Sequence, residues 1–120
     1  MRKGLLIKVA SWLEIIVGAA LVLALDLLSR LLFAEAPQGV GGLLGRVGGI
    51  ALFALGAGGL RSTEAGLSGG GVLGLFIYNA ATAVFLVWVG VATVYRGVLL
   101  WPAVILHATI ACAVVWTNRP

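Results

Sequence analysis

Four side chains that could do chemistry stand inside apolar runs of this sequence: Glu14, Arg46, Asn79 and His107. Glu14 lies within Ser11-Trp12-Leu13-Glu14-Ile15-Ile16-Val17-Gly18. An ionisable group surrounded by hydrocarbon is expensive and calls for a partner, so the partner's identity decides what it does. Paired with His107, a membrane carboxyl suits proton relay, because burial penalises the charged form of both groups. Paired with Arg46, it becomes half of a neutralised ion pair. A permanent cation holds a carboxylate ionised and makes it a poor proton carrier.

The elements that must position these residues are membrane spans. Of 120 residues, 62% are hydrophobic and only 10% charged, against about a quarter charged in a soluble domain. A soluble chain of this length could not bury so much apolar surface. Four apolar runs, at about 5–28, 40–60, 72–94 and 98–116, each approach the ~20 residues that cross a bilayer core. The expected fold is all-α: a polytopic membrane protein, one four-transmembrane-helix bundle over 1–120.

The joints are short. Asp26-Leu27-Leu28-Ser29-Arg30 either extends the first span or lies along the interface, with Asp26 and Arg30 spaced to pair on one face. Pro37 and Gly39 end that segment. Arg61-Ser62-Thr63-Glu64, with Gly66 and Gly69-Gly70-Gly71, forms the linker between spans two and three. Ala34-Glu35-Ala36 has the small-x-small form of a cleavage site. The apolar run before it is too long for a signal core of about 7–15 residues and carries Glu14 and Asp26, so a retained span is expected.

Basic residues near span ends set the orientation. Arg2, Lys3, Lys8, Arg61 and Arg119 fall on one side, Arg30 and Arg96 on the other. This bias puts both termini in the cytoplasm, with Tyr95 and Trp101 at the outer interface and Trp116 at the inner one. The net charge of +4 forms no basic stripe, so nucleic acid is not an expected partner.

With about 1.5 Å of rise per residue, Glu14 lies ~13 Å and Asn79 ~10 Å above the inner face. On the same scale Arg46 lies ~9 Å and His107 ~13 Å below the outer face. Each span thus brings one polar member to a middle layer. The reading favoured by Arg46 is a structural network in which Glu14 and Arg46 pair while Asn79 and His107 satisfy the remaining bonds. The rival is a proton-coupled site with Glu14 as the coupling carboxylate.

Gly41, Gly45 and Gly49, with Gly48 beside them, form a small-residue zipper on span two, suited to close packing as a seam within the chain or, as the lesser alternative, as a homodimer face. Trp101-Pro102 opens the last span, where proline costs little. No metal or cofactor is expected, since His107 has no second His and Cys112 lies off its face. Gly69-Gly70-Gly71 lacks the Lys and spacing of a phosphate loop, and no nucleophile–base pair is evident, so no enzyme is expected.

Length, four spans and a Glu in the first span resemble the small multidrug resistance transporters, which couple drug and proton binding to such a carboxylate. The chain departs from them in Arg46 and in its third span. Trp12-Leu13-Glu14, Gly45-Arg46-Val47-Gly48-Gly49-Ile50, Tyr78-Asn79 and Leu100-Trp101-Pro102-Ala103-Val104-Ile105-Leu106-His107 more closely resemble small bacterial four-helix membrane proteins of the DoxX-like type. That resemblance implies an architecture and no particular activity. The function expected is that of a small integral protein of the bacterial inner membrane, structural or accessory to a membrane complex. Its expected partners are the lipid bilayer and a homo-oligomer or larger complex.

Overall fold

The computed structural model describes residues 3–64 and 70–118. Arg2, Arg119, Gly66 and Gly69 lie outside the described residues. The described residues form five helices: α1 (Lys3–Leu23), α2 (Leu25–Phe33), α3 (Val40–Glu64), α4 (Gly70–Ala92) and α5 (Leu100–Thr117). All but α2 are long and apolar enough to cross a membrane. The protein is an all-helical, multi-pass membrane protein.

The first span is shorter than its apolar run. The helix breaks at Ala24, whose backbone leaves the helical region at φ −136° and ψ 42°. Leu25 to Phe33 then form a separate amphipathic helix that buries Leu25 and Ser29. The span therefore ends at Leu23 and does not run to residue 28. Asp26 and Arg30 are both exposed and form no ion pair. An exposed pair gains little from closing, and each already sits at the helix end that suits its charge.

The far end of α2 is capped by the connection between α4 and α5. Leu31 and Leu32 offer carbonyls that the helix itself cannot satisfy. The Leu99 amide donates to the first at 2.8 Å and the Gly97 amide to the second at 2.9 Å. Only glycine fits at 97, since a Cβ there would run into the Leu31–Leu32 backbone.

Two antiparallel pairs make the bundle. In the first, α1 and α3 pack backbone to backbone along a seam of small residues. Gly18 lies against Gly49 and Phe53, Leu25 against Gly45, Ile15 against Gly56 and Ser11 against Gly59. A methyl added at Gly18 or Gly49 would meet the opposite backbone within 2.8 Å. Gly49 of the expected zipper thus belongs to this seam, and Gly45 continues it onto α2, where it packs on Leu25. Gly41 shares that face but lies beyond the end of α1 and meets only Pro37, while Gly48 lies off the seam face and faces open space.

In the second pair, α5 packs on α4, with Gly90 making room for Leu100 and Trp101. Leu6, Ile7 and Ala10 of α1 join the two pairs with Val72 and Leu75 of α4 and Ile110 and Val114 of α5. A second cluster, of Leu86, Val89 and Leu100, closes the end near α2.

Candidate functional site

Asn79 is the centre of the polar layer. It sits on α4 with no exposed surface, one turn beyond the buried Leu75. Its Nδ2 donates to the Leu75 carbonyl at 2.9 Å and to Glu14 Oε1, on α1, at 3.0 Å. Its Oδ1 lies 2.7 Å from Nδ1 of His107, on α5. Three helices meet at one amide.

The bonds fix the chemistry of each end. A backbone carbonyl can only accept, so the Leu75 contact sets which amide atom is the nitrogen. Oδ1 therefore faces His107, and His107 Nδ1 must carry hydrogen and donate. A neutral imidazole in this tautomer leaves Nε2 as an acceptor. Tyr78 packs its ring edge-on to the imidazole, with centroids 5.7 Å apart and planes at 77°, and so orients it from the side.

The amide is a brace and not a wire. Asn79 uses both N–H groups and its oxygen to hold partners, and an amide does not hand on protons as a hydroxyl or imidazole does. Glu14 and His107 are thus linked in position without a proton path through Asn79.

Arg46 stands apart. It is exposed, and its Nε donates to the Val22 carbonyl at 3.3 Å. Glu14 forms no ion pair with it. The expected Glu14–Arg46 pairing is corrected by the register of the α1–α3 seam. Gly56 packs at the level of Ile15, whereas Arg46 follows Gly45, which packs on Leu25. The ten residues from 46 to 56 correspond to ~15 Å of helix axis, beyond the reach of the side chain. Arg46 instead meets one of the carbonyls left unpaired where α1 stops.

Ser11 is the member that sequence reasoning missed. It is fully buried one turn before Glu14 on the same face, against Gly59, and its Oγ has no hydrogen-bond partner. The signal was its spacing: Ser11 and Glu14 are three residues apart, so a helix puts both on the seam.

No family model, curated protein or solved structure matches this chain.

Proposed function

We propose that the chain is a small integral protein of the bacterial inner membrane, structural or accessory to a larger membrane assembly, with both termini cytoplasmic and no chemistry of its own. The observation that carries this is the Asn79 hub. Apart from the Glu14–Asn79 bond and the apolar cluster near Ile7, α1 and α4 make little direct contact. A polar residue that joins two helix pairs in lipid is what a fixed scaffold requires. No span buries more than a third of its apolar window within the chain, so lipid or a partner covers the rest. Trp12, Phe85, Trp88 and Trp116 are among the large side chains left on the outside.

A second reading is a proton-coupled transporter. It is favoured by Glu14 itself, a membrane-embedded carboxyl whose partner is a neutral amide and not a cation. In this reading Glu14 would load and release its proton alone, without His107.

One experiment separates the two. The chain is extracted from its own membranes in mild detergent and sized, and the purified chain is reconstituted in vesicles for proton-flux measurement beside Glu14→Gln. The scaffold reading expects migration above the mass of the single chain and no flux that depends on Glu14. Migration as a single chain, with proton flux lost in Glu14→Gln, would replace it with the transporter.

A further inference from the structure

The break that ends α1 also sets where the membrane surface meets the bundle. Lys3–Leu23 rises through ~30 Å, the thickness of a hydrocarbon core, so Ala24 stands at the core's edge. α3 rises through ~37 Å, and its first residues therefore project past that level. Arg46 belongs to α3, which starts at Val40, yet it bonds to Val22. Measured along α1, Arg46 thus lies at the edge of the core, where lipid phosphates begin.

Two opposite charges stand at this level without a partner. Leu25 packs on Gly45, and the residues that follow these two in sequence are Asp26 and Arg46. Both are exposed. Arg46 spends its Nε on the Val22 carbonyl, and its remaining N–H groups have no partner among the described residues. The Asp26 carboxylate has none among them either, and the two side chains form no ion pair. The bond at Nε holds the guanidinium against the end of α1, where it cannot simply extend into water.

We propose that Arg46 and Asp26 together bind one zwitterionic phospholipid with a primary ammonium headgroup, its phosphate on the guanidinium and its ammonium on the carboxylate. A guanidinium presents paired N–H donors that match phosphate oxygens, and a carboxylate accepts from an ammonium. A phospholipid with a glycerol headgroup would satisfy Arg46 but set an uncompensated negative charge beside Asp26. A choline headgroup carries the positive charge without an N–H to donate. The lipid is held against the Ala24 break, the joint from which α2 leaves α1. Neither Glu14 nor Asn79 takes part, so this site stands apart from the scaffold reading.

The test uses three phospholipids with the same acyl chains and different headgroups. Phosphatidylethanolamine, phosphatidylcholine and phosphatidylglycerol are titrated onto the purified full chain in a neutral detergent, and bound lipid is counted by native mass spectrometry. The wild type should take up one ethanolamine lipid per chain, saturably, in preference to the other two. Arg46→Gln should weaken all three by about tenfold, the loss of a charge-assisted bond to phosphate. Asp26→Asn, a change at an exposed position, should abolish the preference for ethanolamine over glycerol. Arg96→Gln, in the connection that caps the far end of α2, should bind like the wild type. Circular dichroism confirms that each variant keeps its helices. Glycerol lipid bound as tightly as ethanolamine lipid by the wild type would overturn the proposal, as would an unaffected Arg46→Gln variant. Equal losses in Arg46→Gln and Arg96→Gln would overturn it too, since any surface cation would then serve. Should Arg46→Gln fail to fold, Asp26→Asn decides alone, and an unchanged preference in that variant would contradict the site.

Discussion

Asn79 has two N–H groups and a carbonyl oxygen, and all three are committed to named partners on α1, α4 and α5. Its substitutions should therefore rank by what they leave facing those partners. Asn79→Leu removes the bonds and strands Glu14 and the His107 N–H, which should cost about 2–3 kcal/mol. Asn79→Asp keeps the shape but turns a donor into an acceptor opposite Glu14 Oε1 and the Leu75 carbonyl, so it should cost more than the leucine. Thermal unfolding in detergent reads the order, and an aspartate variant as stable as wild type would contradict the bond assignment. Ser11 gives the opposite case. Its buried hydroxyl is unpartnered, so Ser11→Ala should raise stability by about 1 kcal/mol, while a loss would mean that the hydroxyl is satisfied in the membrane.

At the scale of elements, the seam between α1 and α3 decides which polar residues can meet. Three of the four were legible at the right level because Glu14, Asn79 and His107 each stand near the middle of an apolar run. Arg46 was not. The first apolar residue of α3 gives no measure of its depth, because backbone contact at Gly18, Gly49 and Gly56 slides α3 along α1 until Arg46 reaches the Ala24 break. Glycine positions told of close packing without telling which face would use it. The break at Ala24 was equally hidden, since the apolar run continues through it unchanged. Two expectations follow. Glu14→Ala and Arg46→Ala should destabilise additively, within about 0.5 kcal/mol, as sites this far apart do. Recovery in the double variant would restore the ion pair. Gly49→Ala should loosen the seam, since its Cβ would meet the Gly18 carbonyl and Leu21. Gly48→Ala faces open space and should be tolerated. Equal losses from the two would mean that α3 turns a different face to α1.

At the scale of the molecule, four apolar helices and the all-α fold were legible from composition and run length alone. What covers the surface of the bundle was not, because an apolar residue facing lipid reads the same as one facing a partner. The two helix pairs are joined where Glu14 meets Asn79. The most direct measurement is a double-mutant cycle of Glu14→Leu and Asn79→Leu, followed by reversible unfolding in mixed micelles. A real bond should give a coupling of about 1 kcal/mol or more, with the double variant losing clearly less than the sum of the singles. Additive losses would mean that the two side chains do not hold one another, and the hub would have to be given up.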